Sequence, residues 1–394
     1  PDNPDRFADL ITRLHQQTGQ KVVVLVDDYD KPVLDTIEDS TVAAAMRDVL
    51  LNIYGVLKDL DAHLRFVFLT GVCKFAKANL FSGLNNLNDI TLDPAYSAIC
   101  GYTDTDVNTI FAPELPGLNR DQIRHWYNGY NWLGESVYNP ADLLLLFAKR
   151  EFQPWWHEIG TPTALTRLMA KVGFFTPKLA SLRTKPERIS TFDIDQIPPE
   201  ALLFQMGYLT IHHCAQPVTG IWLYTLAYPN RDMTVGLNTS LLSVYTGDFR
   251  KSCQHRSCLE KLLLANDLAG LRDLFQAFFA SIPHQWYTNN PITQYEGFYA
   301  SVFYSYFAAL GFEVRVEDAT NFGRIDMAVK LPERIYLFEF KVVELLPNGH
   351  ALQQLKDKAY ADKYRAAGLP IVLVGVEFSR DARNVVGFET ETLD

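Results

Sequence analysis

Near the start of the chain, Leu10, Ile11 and Leu14 recur at helical spacing. Val22–Val26 follows as a continuous apolar run, too short for a helix and right for a buried strand. Residues 41–61 carry a longer helical pattern, and Phe66–Leu69 is a second short apolar run. Strand, helix, strand in that order predicts a parallel α/β sheet, because parallel neighbours need a crossover between them. From about 151 to 255 the pattern is mostly helical. Within it, Ala201–Met206 reads as a helix end, followed by strands at Tyr208–His212 and Ile221–Tyr228. Helix plus hairpin is a winged-helix-like arrangement.

The last part of the chain is the most sharply patterned. Tyr299, Phe303, Phe307 and Leu310 lie at helical spacing over 293–310, and Gly311 is placed to end that helix. Phe312, Val314 and Val316 then alternate with Glu313, Arg315 and Glu317, which is strand period. Asn321-Phe322-Gly323 predicts a turn, Arg324–Lys330 a second strand, Leu331-Pro332-Glu333 another turn and Ile335–Val343 a third strand. A helix over about 350–366 and a buried strand at Ile371–Val376 complete the order.

These patterns divide the chain into an α/β part over 1–150, a mainly helical part over 151–255 and a second α/β part over 256–394, with its core at 291–378. Composition adds little to that division: with 48% hydrophobic and 21% charged residues in 394, the chain has the makeup of ordinary globular domains. No stretch approaches the roughly 20 apolar residues of a membrane span, and no signal-peptide pattern opens the chain. The five cysteines, Cys73, Cys100, Cys214, Cys253 and Cys258, are odd in number and scattered, as in a reduced, cytoplasmic protein. A net charge of −10 argues against broad attraction to nucleic acid, yet a site rich in carboxylates recovers positive charge by binding a divalent metal.

The chemistry concentrates in the third of the C-terminal strands. Alternation puts Ile335, Leu337, Glu339 and Lys341 on one face and Tyr336, Phe338 and Phe340 on the other. Two charges side by side in an apolar run require partners or a metal, because burying them alone is expensive. Asp326, a single acid in the preceding strand, comes beside Glu339 if the two strands form a hairpin. A hard cation such as Mg²⁺ relieves the repulsion of such a pair, and Lys341 is then placed to orient water or steady developing charge.

These residues resemble the PD-(D/E)XK nuclease superfamily, and more closely the C-terminal domain of bacterial proteins that join an AAA-ATPase-like module to such a nuclease. The matching stretches are Tyr295–Tyr299, Gly323–Asp326, Phe338–Lys341 and Ala351–Ala361. The resemblance implies a restriction-endonuclease-like α/β domain that uses Mg²⁺ or Mn²⁺ to cut DNA or RNA. In it Glu296, Asp326 and Glu339 are metal ligands, and Lys341, Gln354 and Tyr360 complete the catalytic set. Six residues is about 240° of helix turn, so Gln354 and Tyr360 do not share a face of a continuous helix, whereas Gln353 and Tyr360 do. Which glutamine reaches the site stays open at this level.

Val22–Val26 runs into Asp27-Asp28-Tyr29-Asp30, and a strand ending in paired acids is how P-loop NTPases hold Mg²⁺ and place water. Asp27–Pro32, Leu69–Phe75, Leu80–Leu87, Tyr127–Tyr130 and Tyr138–Pro140 resemble the AAA-ATPase-like family, which implies nucleotide-binding roles for Asp27, Asp28 and Thr70. Asp28 stands where that family often has Glu. No G-x-x-x-x-G-K-[ST] phosphate loop occurs in the sequence; the resemblance places it upstream of Pro1, and binding of ATP is expected only if that segment is present. The chain opens on Pro1, not Met, which also leads us to expect an upstream segment. No ATPase activity is expected of this chain alone.

Cys253, His255 and Cys258, with His212, His213 and Cys214, fit no recurrent zinc spacing and read as ordinary helix and hairpin residues. Tyr127, Tyr130 and Trp132 suit packing better than base stacking. The expected function is thus a metal-dependent nuclease domain attached to an incomplete ATPase-like module. The competing readings are a regulatory protein that keeps the nuclease fold as a binding module, and an NTPase switch. The presence of Glu296, Asp326, Glu339 and Lys341 together favours catalysis.

Overall fold

In a computed structural model, the described residues are 2–37, 39–74, 87–156, 165–166, 169, 174–190, 198–246, 249–282, 296–320 and 323–393, without the side chains of Thr246, Phe249 and Glu296. In chain order the principal elements begin with α1 (Asn3–Thr18), β1 (Val22–Val26), α2 (Lys31–Leu34), α3 (Ser40–Asp59), β2 (Leu64–Leu69) and α4 (Asp104–Thr109). Next come α5 (Arg120–Tyr127), α6 (Pro140–Lys149), β3 (Leu182–Thr184), α7 (Pro186–Ser190), α8 (Pro199–Gln205), β4 (Thr210–Val218) and β5 (Ile221–Ala227). The remainder is α9 (Arg231–Thr246), α10 (Phe249–Ala265), α11 (Leu268–Ser281), α12 (Glu296–Ala309), β6 (Glu313–Ala319), β7 (Arg324–Lys330), β8 (Ile335–Val343), α13 (His350–Asp357), a 3₁₀ segment (Tyr360–Ala367), β9 (Ile371–Ser379) and β10 (Asn384–Leu393). None of the helices described is long and apolar enough to cross a membrane.

The chain forms two compact units that interleave in sequence. One holds 1–113, 128–140 and 183–229; the other holds 114–127, 141–182 and 230–394. In the first, β1 and β2 pair in parallel, as the strand–helix–strand pattern requires. Ile11, Val24, Leu57 and Leu64 pack one face of this pair against α1 and α3. The expectation of a fully buried strand is corrected: Val23, Leu25 and Phe66 lie exposed on the opposite face. Leu10 and Leu14 are likewise exposed, so of the three apolar residues assigned to α1's inner face only Ile11 is buried, with Phe7 beside it. The same unit contains α8 followed by the β4–β5 hairpin, with β3 completing a sheet of order β3-β5-β4.

The second unit is built on a sheet of order β10-β9-β8-β7-β6. β7 runs antiparallel to both β6 and β8, β9 joins β8 in parallel, and β10 closes that edge antiparallel to β9. The three meandering strands match the sequence pattern, while β9 runs three residues past Val376 and β10 was not anticipated. Because side chains alternate, β8 offers Tyr336, Phe338 and Phe340 to one layer of helices and Ile335, Leu337, Glu339 and Lys341 to the other.

The first layer is aromatic. Phe303 of α12 lies 5.0 Å from the Phe340 ring and 6.0 Å from that of Phe338, while Tyr299 stacks on Phe378 at 4.0 Å. Phe275 of α11 stacks on Phe303 at 3.9 Å. Such ring pairs contribute about 0.5–1.5 kcal/mol each beyond area burial. They explain why α12 is apolar around almost its whole circumference: α9 covers its other side. Tyr127 is completely buried and Tyr130 nearly so, which makes packing residues of both.

Asp142, in the first turn of α6, and Asp232, in the first turn of α9, are fully buried and interact electrostatically, with the Trp156 N–H donating to Asp232 at 3.3 Å. Burial, and then the charge of Asp142, push Asp232 far above the usual carboxyl range, so the pair shares a proton at neutral pH. A carboxyl raised in the folded state stabilises below its unfolded value near pH 4, and that stability is lost as pH rises through the folded value. Melting temperature is therefore expected to fall from mildly acidic to mildly alkaline pH. In Asp232→Asn, whose amide donates at any pH, the decline should flatten; thermal melts across that range check it.

Candidate metal-dependent nuclease site

The hydrogen-bond ladder between β7 and β8 runs from Lys330↔Ile335 to Met327↔Phe338 and stops there. Just beyond its end, the Asp326 carboxylate accepts the N–H of Phe340 at 2.8 Å. A side chain thus takes over from the main chain where the strands part, and this fixes Asp326 on the edge of β8. On the same face Glu339 is only 1% exposed. Its Oε1 accepts from Lys341 Nζ at 3.1 Å and from the side-chain amide of Gln354 on α13. Lys341 is about one-third exposed, so one member of the ion pair is dry and the other reaches solvent.

The Gln354 side chain and the Arg324 main chain act on the Tyr360 hydroxyl in the sense that lowers its pKa. Burial first, then the charges of Glu339 and Asp326, raise that hydroxyl above its ordinary range. Two acids from adjacent strands therefore act on one tyrosine oxygen. Gly323 makes room for it: a Cβ there would lie 2.6 Å from the Tyr360 oxygen.

This corrects the continuous helix expected over 350–366. Regular α-helix ends at Asp357, Ala359 takes the left-handed region at φ 46°, and Tyr360 opens a 3₁₀ segment. The break re-aims Tyr360, which removes the objection from helix geometry. Gln354 reaches Glu339 and Tyr360, whereas Gln353 is exposed and bonds Asp357 at 2.7 Å.

Glu296 is the first residue of α12, and its side chain lies outside the described residues, as do Asn321 and Phe322 of the expected turn. Asp326, Glu339, Lys341, Gln354 and Tyr360 are brought together. Among the described residues no three His, Cys, Asp or Glu side chains are gathered into a metal cage.

Two residues on β9 went unnoticed in the sequence. Gly375 pairs with Glu339 and Glu377 with Lys341. The Glu377 carboxylate, 2% exposed, accepts the N–H groups of Asn348 at 2.6 Å and Ala351 at 3.2 Å, holding the start of α13. A glycine and an acid inside an apolar run were visible signals of the kind used for β8.

In the other unit, Thr70 Oγ1 donates to the Asp27 carboxylate where β1 and β2 end together. Asp28 is exposed at φ 51°. The acid that this turn buries is a third one, Asp30, which accepts the N–H of Val72 at 3.0 Å and that of Cys73. Burial raises its pKa, against the lowering effect of those two N–H groups. A Cβ on Gly71 would come within 2.5 Å of this carboxylate and of the Tyr29 ring.

Residues 294–388 match the PD-(D/E)XK nuclease superfamily, and residues 2–81 match the family described as "Predicted AAA-ATPase". A relative from Azotobacter chroococcum mcd 1, described as an uncharacterized protein in the vnfD 5′ region, is 58% identical over 392 residues, all of this chain and 76% of the relative. The chain belongs to that protein's family. It carries an AAA-ATPase-like domain and a PD-(D/E)XK nuclease superfamily domain. No solved structure matches it.

The break at Ala359 generates a prediction about stability. A non-glycine residue in the left-handed region costs on the order of 1 kcal/mol, and a β-branched one more. Ala359→Gly should raise unfolding stability by roughly 0.5–1 kcal/mol, and Ala359→Val should lower it. Urea denaturation of the three proteins measures both signs.

Proposed function

We propose that this protein is a nuclease that cuts phosphodiesters of DNA or RNA with the help of Mg²⁺ or Mn²⁺ at Asp326 and Glu339. The observation that carries the reading is the convergence of Asp326, Glu339, Lys341, Gln354 and Tyr360 on one sheet face. An Asp and a Glu from neighbouring strands offer hard oxygen donors, the set suited to a cation that keeps some of its water and takes substrate oxygens as further ligands. A divalent cation held there supplies charge to a phosphodiester oxygen and acidifies water.

The rest falls to the chain. The N–H of Phe340 holds Asp326 in place, and the Gln354 amide holds Glu339, so neither carboxylate reorganises when substrate arrives. Lys341, about one-third exposed beside a buried acid, orients a water or steadies charge on the phosphate. Tyr360, raised in pKa by burial and by the charges of Glu339 and Asp326, stays protonated and serves as a donor rather than a base. Glu296, at the start of α12, is a further metal ligand in this reading. Asp27, Asp28 and Thr70 belong to the ATPase-like module and are its nucleotide-facing residues.

Asp326→Ala and Glu339→Ala should each abolish Mg²⁺- or Mn²⁺-dependent cleavage of DNA and RNA and weaken Mn²⁺ binding by calorimetry. Lys341→Ala should retain Mn²⁺ binding and lose roughly 10²–10³-fold in kcat, as for removal of one preorganised donor. Equal cleavage by wild type and Asp326→Ala would sink the assignment. Mn²⁺ binding and nucleic-acid binding without cleavage would point instead to a binding module on a nuclease fold.

A further inference from the structure

We propose that Gly375 and Glu377 of β9 are positioning residues: together they seat α13 on the sheet so that Gln354 holds Glu339. This rests on the nuclease reading for its catalytic consequence, but the seat itself is geometric. Gly375 sits directly beside Glu339 in the β8–β9 ladder. A Cβ built on it would lie 2.2 Å from the Leu352 nitrogen and 2.7 Å from the Leu352 Cα. Those are main-chain atoms of α13, so no side-chain rotation relieves the overlap. The helix must lift or the strand must move, and both separate Gln354 from Glu339.

Glu377, two residues on and on the same face, supplies the attachment that glycine cannot. Its two oxygens hold the N–H groups of Asn348 and Ala351, on either side of Gly349, which takes φ 74° at the helix start. A buried negative charge at a helix N-terminus also satisfies donors that have no partner within the helix. Close approach at Leu352 and capture at Ala351 fix both the height and the start of α13. From that start Gln354 is one helical turn along and falls over Glu339. The neighbouring β8 residue, Lys341, pairs in register with Glu377, so the seat and the site share the same two strands.

Two measurements test the proposal on the full chain. In hydrogen exchange, Gly375→Ala and Glu377→Gln should each speed exchange of the α13 amides over 351–357 by on the order of ten-fold, while β7 and β8 keep wild-type protection. Unchanged α13 exchange in both variants overturns the seat, whatever the protein's activity. Should Gly375→Ala fail to fold, Glu377→Gln decides this arm alone.

In Mn²⁺-dependent cleavage, Gln354→Ala and Gly375→Ala (or Glu377→Gln in its place) should each lower kcat by roughly 10–100-fold. Combining Gln354→Ala with the seat variant should lower it no further than the worse single change, because both act through one contact. Losses that multiply would show that the seat does not act through Gln354. If the wild-type chain cuts nothing, the nuclease reading fails while the exchange experiment still decides the seat.

Discussion

A carboxylate at the centre of an apolar strand constrains everything around it. Glu339 is almost wholly removed from water, and an ionised acid in such a place costs several kcal/mol unless charge and hydrogen bonds are brought to it. Lys341 brings the charge from two residues along the same strand, and Gln354 brings a donor from a different element. The first partner is available to any extended chain with this sequence. The second exists only if α13 lies close above the sheet, which is why the smallest side chain and a buried acid are found directly beneath it on β9.

The two faces of the sheet divide the work. Behind β8, rings from α11 and α12 interlock with Phe338, Phe340 and Phe378, a layer whose energy comes from area and ring geometry. That layer holds the strand still. In front of β8, the apolar part of the face packs Ile335 and Leu337 under Leu355 and Tyr360, and the polar groups appear only toward the strand's far end, where the β7 ladder has stopped. Strands that part leave main-chain groups to be satisfied, and Asp326 does this for Phe340. The end of a ladder is thus both a structural need for a carboxylate and an opening in which it can meet a ligand.

A comparable logic appears where β1 and β2 end. Two strand ends side by side expose unsatisfied N–H groups in the segment after β2, and the buried Asp30 collects those of Val72 and Cys73. Asp27, bonded to Thr70, stays at the surface. Of three acids in four residues, one is consumed by the fold and two remain accessible, a division that composition cannot show.

Much was legible in the sequence where a single strand period or helix stripe carries the information. The bounds of β7 and β8, the shared face of Glu339 and Lys341, the antiparallel order of β6 to β8 and the end of α12 just before Gly311 all follow from local alternation and turn chemistry. Such features depend on residues within about ten positions of one another, and side-chain period alone sets them. What only the tertiary structure decided is longer in range. The choice of Gln354 over Gln353 depends on a helix that breaks at Ala359, and periodicity assumes a helix that does not. The roles of Gly375 and Glu377 depend on which strand lies beside β8, and the burial of Asp30 on which loop closes over it. In each case the deciding atom belongs to a segment distant in sequence, and a pattern read along one chain direction carries no information about what will be packed against it.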